Sequence, residues 1–244
     1  MNKEIEKAAK LLEQSKHTIV LTGAGISVES GIPPFRGKEG LWSQYDPIVL
    51  DLNYFLKNPE ISWPVLKKLF YDHYGQANPN KAHFALARLE KQGIIKTIIT
   101  QNIDSLHQKA GSQNVYEFHG TLQSLLCLEC HHEYGLHEIN LNETVPRCQK
   151  EQGLLRPNFV FFSESIPKLI ASQSFAEAQK ADIVLVIGTT GEVMPACAIP
   201  FQAQKKGAKI IEINPNRSNY TDSVDVFLPG KATEMMGALE QILS

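Results

Sequence analysis

The sequence predicts an α/β fold: a Rossmann-like, doubly wound parallel sheet with a small inserted domain. Three observations support this. Short β-branched and aliphatic runs alternate with amphipathic helical stretches along most of the 244 residues, a pattern that gives parallel strands with right-handed crossovers. Several of those runs end in clusters of Gly, Asn, Gln, Asp, Thr or His, where open α/β sheets bind ligands. One stretch, residues 122–156, breaks the alternation and holds three of the four cysteines.

Bulk properties narrow the function. Hydrophobic content of 43% and charged content of 20% are ordinary for a globular chain. A net charge of −2 gives no overall attraction to nucleic acid or membrane. The N-terminus is charged and helical in character, without the apolar core of a signal peptide. No apolar run approaches the ~20 residues that span a bilayer. A cytoplasmic location is expected. Cys127, Cys130, Cys148 and Cys197 are too few for a disulfide scaffold at this length, so they read as thiols or metal ligands.

Taken in order, residues 3–14 present a helical face of Ile5, Ala8, Ala9, Leu11 and Leu12. A buried strand follows from Thr18 to Leu21, then a turn at Gly23-Ala-Gly25 with a helix expected over residues 24–27. Residues 38–53 read as loop, anchored by Leu41, Trp42, Tyr45 and Leu50. Residues 53–74 read as broken helix, interrupted at Pro59 and Pro64. An amphipathic helix spans 81–91, stopped by Gly93, and a strand spans 94–99. A short helix is expected over 105–110, a strand over 115–118, and the inserted cysteine module over 122–156. Apolar residues resume at 158–162. A helix at 168–180, a strand at 181–187 and a helix at 195–206 follow. Strands at 209–213 and 225–228 and a helix at 233–243 complete the alternation.

The turn after the first strand is where chemistry starts. Two glycines there let the backbone approach a ligand closely, and a helix opening behind them would aim free N–H groups at a pyrophosphate. The third glycine falls at Gly31, while Val28 occupies the third position of the dehydrogenase Gly-x-Gly-x-x-Gly pattern. Hydride-transfer enzymes are therefore disfavoured. Gly31-Ile-Pro-Pro-Phe-Arg36 suggests a stiff flap carrying a cation over phosphates.

Gln101, Asn102 and Asp104 follow a strand. They can serve as turn and cap residues, or as amide and carboxylate groups gripping a ribose and a carboxamide. His119 ends a strand beside Gly120, a position suited to a general base near neutral pH. His73, His83 and His107 lie on helical stretches and read as structural, as does Cys197 as a core thiol. Cys127-Leu-Glu-Cys130 matches half of a zinc ribbon. Cys148 arrives at the spacing of the second half, but Glu151 stands at the fourth position. Glu151, His131, His132 or His137 could complete a site, or the module could be metal-free.

These residues together resemble the sirtuin family, NAD-dependent protein-lysine deacylases. The resemblance rests on residues 23–36 as a block, on Thr100-Gln-Asn-Ile-Asp-Ser-Leu-His107, on His119-Gly120, and on the cysteine module. Gly153-Leu-Leu-Arg-Pro-Asn158, Gly188-Thr-Thr190 and Ile213-Asn-Pro215 continue it in the family's order. It implies a Rossmann-like NAD-binding domain from residues 1–35, 79–121 and 157–244. A helical insert (36–78) and a zinc-ribbon-like module (122–156) would form the small domain, with NAD between the two. The acyl oxygen of a modified lysine would attack the ribose, expelling nicotinamide. His119 would then act as base, passing the acyl group to ADP-ribose.

By the same resemblance, Gly23, Ala24, Gly25, Ser27, Phe35 and Arg36 would hold the phosphates and shield the reacting carbon. Gln101, Asn102, Ile103 and Asp104 would hold ribose and nicotinamide, with Asn102 also catalytic. Gly188, Thr189, Thr190, Asn214, Pro215, Asn216 and Ala232 would line the adenosine end. Val160, Phe161, Phe162, Ser163 and Glu164 would pair with a substrate peptide as an added strand. Cys127, Cys130 and Cys148 would be the metal ligands, with Glu151 as the uncertain fourth. Acylated proteins are the implied partners, with no nucleic acid or membrane, and the chain is expected to be a monomer. An ADP-ribosyltransferase, an NAD hydrolase or a non-catalytic NAD sensor would use the same site.

Two further departures from the family bear on specificity. Ser163 stands where the family has glycine. The Tyr-x-x-Arg pair that marks acidic-acyl preference is missing: Tyr71-Asp-His-Tyr74 has no arginine, and a shifted alignment places Leu66 and Leu69 there. An acidic acyl group would be buried unpaired, so neutral acyl groups are expected over succinyl.

Overall fold

Burial on both faces decides the central sheet. Thr18–Thr22 (β1) and Ile183–Ile187 (β7) are buried at every residue, as expected of parallel strands covered on two sides. In the computed structural model, which describes residues 2–34, 40, 45–72 and 77–244, they pair in parallel. Ile95–Thr100 (β2), Val115–Glu117 (β3), Lys209–Asn214 (β8) and Val226–Pro229 (β9) extend the sheet in the order β3-β2-β1-β7-β8-β9. The chain runs outward from β1 to β3, then returns to β7 on the opposite side of β1. The topological switch point therefore lies between β1 and β7, where doubly wound sheets form their ligand crevice.

Side chains alternate between two cores with the strand period of two. Val20, Ile98, Leu185 and Ile211 face Asn2–Gln14 (α1), Lys81–Lys91 (α4) and Ala232–Leu243 (α8), through Leu12, Leu86, Met236 and Leu239 among others. Ile19, Leu21, Val184 and Ile210 face Lys168–Lys180 (α6) and Ala198–Gln204 (α7), through Ala178, Ile199 and Ala203. The helix expected over 105–110 is Leu106–Lys109 (α5). That expected over 195–206 is shorter, because residues 193–198 are taken up by turn bonds such as Cys197 N–H to the Val193 carbonyl.

A third core lies outside this sheet. Leu52–Lys57 (α2) and Pro59–Leu66 (α3), followed by a wider turn at Lys67–Tyr71, fill the expected broken helix. Pro59 begins α3 and Pro64 sits inside it. Phe55, Trp63, Leu66 and Phe70 pack against Leu125, Cys127, Tyr134, Cys148 and Leu155 of the cysteine module. Trp63 Nε1–H donates to the Leu155 carbonyl at 2.9 Å. Removing a side chain like Trp63 from a packed core costs about 3–5 kcal/mol.

Two sequence expectations are corrected. The helix after Gly23 is two single 3₁₀ turns, Ala24–Ile26 and Val28–Ser30. The Gly23 and Gly25 N–H groups bond instead to Ile187 and Gly188 carbonyls, which stitches the turn to β7. The cysteine module contains a three-stranded antiparallel sheet of order β5-β4-β6: Gly120–Cys127 (β4), Glu133–Gly135 (β5) and Leu155–Phe159 (β6). It overruns the expected 122–156 at both ends. The register shift between Gly120 and Leu125 breaks the period of two that would have revealed β4. Leu41, Trp42, His73 and Tyr74 fall outside the described residues. Among the described residues, no helix is long and apolar enough to cross a membrane.

His83 and His107, expected to lie on helices, do so in α4 and α5. Both are buried, edge to face with centroids 4.9 Å apart. Burial pushes His83 down to about 4 and His107 well below its ordinary value, the neighbouring His83 adding to the latter. Unfolded imidazoles take up protons near pH 6.5, whereas these stay neutral when folded, so acid favours unfolding. Thermal midpoints are expected to fall as pH drops below about 6.5, with the His83 contribution to the slope ending at about 4. A His83→Gln variant should show a shallower fall; an unchanged pH slope would contradict the assignment.

Candidate functional site

The β1 and β7 turns meet at van der Waals contact. A Cβ on Gly23 would lie 2.7 Å from Thr189 Cβ, and one on Gly25 would lie 2.6 Å from Gly188 Cα. These glycines thus serve the fit between two turns as well as any approach to a ligand. The turns open onto a cleft of about 690 Å³, within the range of small-molecule sites. Gly23, Ala24, Gly25, Gln101, Asn102, Ile103 and His119 line it, with Gly188, Thr189, Thr190, Asn214, Pro215, Asn216 and Ala232 toward the β7 and β8 ends. Val160 to Glu164 form part of its wall.

Beyond β2, hydrogen bonds fix the polar cluster. Thr100 Oγ1 accepts from the Asn102 N–H at 3.0 Å and from Thr22 Oγ1–H at 2.8 Å. Asn102 Nδ2 donates to the Gly23 carbonyl at 3.1 Å and to Ser27 Oγ at 3.2 Å. Ser27 Oγ–H donates to Asp104 Oδ2 at 2.7 Å, and Asp104 Oδ1 accepts the Leu106 N–H. Burial pushes the Asp104 carboxyl up, against these hydrogen bonds. Ser27 and Asp104 are buried behind the cleft wall rather than among its lining residues, and they hold Asn102 in place. Gln101 Nε2 donates to Thr189 Oγ1 at 3.1 Å, tying β2 to the β7 turn.

His119 sits in the two-residue turn, Phe118-His119, that joins β3 to β4. Its Nδ1 lies 3.0 Å from the Gln101 carbonyl, an acceptor only, so Nδ1 carries the proton and Nε2 keeps its lone pair. Burial holds this imidazole below its ordinary range, partly offset by the Gln101 carbonyl. It is neutral near pH 7. The next residue must be glycine: Gly120 has φ +76°, and a Cβ there would lie 2.3 Å from the Asn158 carbonyl oxygen.

The segment 160–164 is pinned on two sides. The Val160 N–H donates to the His119 carbonyl at 2.8 Å. The Phe162 N–H donates to Leu50 at 2.7 Å, and its carbonyl accepts from Leu52 at 3.1 Å, so that residue already pairs with the helical insert. Glu164 accepts two bonds from Arg156, at 2.7 and 2.8 Å, and one from the Phe161 N–H at 2.9 Å. Phe35 and Arg36 lie outside the described residues. Sequence reasoning missed Leu50, Phe70, Phe159, Val193 and Met194, which also line the cleft. Val193 and Met194 are exposed at 41% and 68% just past the Gly188–Gly191 turn, and that adjacency was the available signal. The others look like any core residue in sequence.

Away from the cleft, the Sγ atoms of Cys127, Cys130 and Cys148 lie within 4.8 Å of one another. The Cys130 N–H reaches Cys127 Sγ and the Glu151 N–H reaches Cys148 Sγ, each at 3.5 Å. Two turns thus aim thiols at one point, which fits three of the four positions of a tetrahedral zinc site. Among the described residues, neither Glu151 nor His131, His132 or His137 belongs to that group. Cys197 is a buried thiol apart from it.

The Sir2 family model matches residues 23–195. Among curated proteins, the chain is 41% identical over 239 residues to NAD-dependent protein deacylase 1 of Archaeoglobus fulgidus, covering 96% of each. It is 44% identical over 243 residues to the NAD-dependent protein deacylase of Pyrococcus furiosus, covering 96% of this chain and 95% of that one. A solved Sir2 homolog–NAD complex superposes with a TM-score of 0.91 at 40% identity, covering 98% and 93% of the two chains. A Sir2 variant bound to deacetylated p53 peptide and 3′-O-acetyl ADP-ribose gives 0.92 at 33% identity, covering 97% of each.

Three thiolates hold zinc less firmly than four. Metal analysis of protein purified without chelator should find zinc, lost readily to a chelator, and Glu151→Cys should slow that loss. Equal rates of loss would mean that position 151 does not face the metal.

Proposed function

The chain belongs to the Sir2 family, and we propose that it is an NAD-dependent protein-lysine deacylase, transferring the acyl group to ADP-ribose and releasing nicotinamide. The observation that carries this is one cleft shared by the glycine turn, Asn102 and His119. NAD, a substrate here, brings a ribose carbon whose nicotinamide is already a cationic leaving group. The protein needs to position and to supply one base, not a strong acid. The turn at Gly23–Gly25 and the residues after β7 and β8 shape the dinucleotide end of the cleft. Asn102, held by Ser27 and Gly23, presents its amide toward the ribose, with Ile103 at the nicotinamide side and Asp104 bracing the loop from behind. His119 Nε2 accepts a proton from a ribose hydroxyl while the Gln101 carbonyl fixes the ring.

An acylated peptide would lie between Phe162 on one side and Val193 and Met194 on the other, all exposed and all lining the cleft. Because Phe162 already pairs with Leu50 and Leu52, an added strand would use the neighbouring backbone groups of residues 160–164. Leu66 and Leu69 are buried in the apolar cluster with Phe70, Phe159 and Phe161. Arg156, over the Phe161 ring at 4.7 Å, is paired to Glu164 and offers no free charge to an acidic acyl group. Neutral acyl groups fit. The reading keeps the large dinucleotide domain and the small domain of residues 36–78 and 122–156. A cytoplasmic monomer is part of the same proposal. Zinc, held by Cys127, Cys130 and Cys148, would brace the small domain.

Acetylated peptide incubated with NAD should yield nicotinamide and acetyl-ADP-ribose by mass spectrometry; free ADP-ribose alone would overturn the transferase reading. His119→Ala should still bind NAD and lose about 10²-fold or more in turnover. Because the base must be neutral, kcat/KM should decline as pH falls below an inflection under 6.5. Undiminished turnover in the variant would remove His119 from its role. In a panel of acyl-lysine peptides, acetyl should turn over faster than succinyl, and the reverse order would refute the neutral pocket.

A further inference from the structure

Ser163 occupies a left-handed backbone position, φ +66°, where a side chain is disfavoured and glycine is at ease. Its hydroxyl donates to Asp51 Oδ2 at 2.7 Å. The other carboxylate oxygen of Asp51 caps α2, accepting the Tyr54 N–H at 3.0 Å. Asp51 also forms a parallel bridge with Phe162. The same short stretch of the helical insert thus holds the peptide-facing segment through main chain and side chain together. The Ser163 hydroxyl, then the Tyr54 N–H, hold the Asp51 carboxyl below its usual range, in keeping with an ionised acceptor.

We propose that Ser163 and Asp51 are positioning residues for the acylated peptide: their hydrogen bond latches residues 160–164 to the helical insert and sets the height of the peptide-binding wall. The inference rests on the deacylase reading and adds to it which part of the small domain controls peptide affinity. Phe162 is the transmitting side chain. It is 48% exposed and lines the cleft, its own backbone makes the bonds to Leu50 and Leu52, and Ser163 of the latch follows it directly. Glu164, clamped by Arg156, fixes the far end of the segment. Only the end nearest the insert depends on the latch. Neither Ser163 nor Asp51 bonds to His119, Asn102 or Gln101, so the NAD end should not respond.

Ser163→Gly separates the latch from simple strain. Removing the side chain relieves the left-handed position, so strain alone predicts an equal or more stable protein with unchanged kinetics. The latch predicts a rise of roughly threefold to tenfold in KM for acetyl-lysine peptide, with kcat at saturation and KM for NAD held within twofold. Asp51→Asn, with Ser163 intact, keeps both a hydrogen-bond partner for Ser163 and a cap for α2, and should retain most of the affinity. Amide hydrogen exchange reads the latch without turnover: Leu52 and Phe162 should exchange faster in Ser163→Gly. An unchanged peptide KM, or an equal rise in the KM for NAD, would overturn the proposal even in a fully active enzyme. An inactive parent protein would overturn the deacylase reading, and the substrate role of the latch with it.

Discussion

Main-chain contact between the first and seventh strands' exit turns governs this molecule. Gly23, Gly25 and Gly188 bring two backbones closer than any side chain would permit. The bonds from Gly23 to Ile187 and from Gly25 to Gly188 make the approach favourable. The sheet reverses its strand order at that point, so two neighbouring strands send their exits in diverging directions and open a crevice. Turns farther apart would give water a path into the floor of the cleft.

Around this contact the polar residues form a brace rather than a set of independent ligands. Thr22 and Thr100 join adjacent strands through their hydroxyls, and Thr22 also touches the buried His107. Asn102, Ser27 and Asp104 continue the chain. Asn102, which meets the cleft, is backed by Ser27 and Asp104, which do not, and this fixes its side chain in advance and lowers the entropy lost on binding. The Asp104 carboxyl illustrates the cost: it is buried and raised, and its hydrogen bonds are what make that burial tolerable.

Much of this could be read from residues alone, for definable reasons. The helix Lys81–Lys91 and the helix Lys168–Lys180 matched their expected limits, because Asn80 caps the first and Gly93 follows it, while Pro167 precedes the second. The central parallel strands β1 and β7 were legible because burial on both faces leaves nearly unbroken runs of aliphatic and β-branched residues. The antiparallel sheet was not, since its longest strand shifts register and its neighbours are three to five residues long. The glycine turn misled in a narrower way. Its sequence suits a helix start, but the hydrogen bonds go across to β7, and that partner lies more than 160 positions away in sequence. The lining residues Leu50, Phe70 and Phe159 carry no local mark, because an apolar side chain facing a cleft and one facing a core have the same chemistry.

Trp63 links two regions that are distant in sequence. Its ring packs in the helical insert while its indole donor is satisfied by Leu155, beside the strand that leads from the cysteine trio toward Phe159 and Phe161. The thiol site and the cleft wall at Phe159 and Phe161 therefore share one apolar core. Any influence of metal at the thiols on peptide held at that wall would be matched by an equal influence in the other direction.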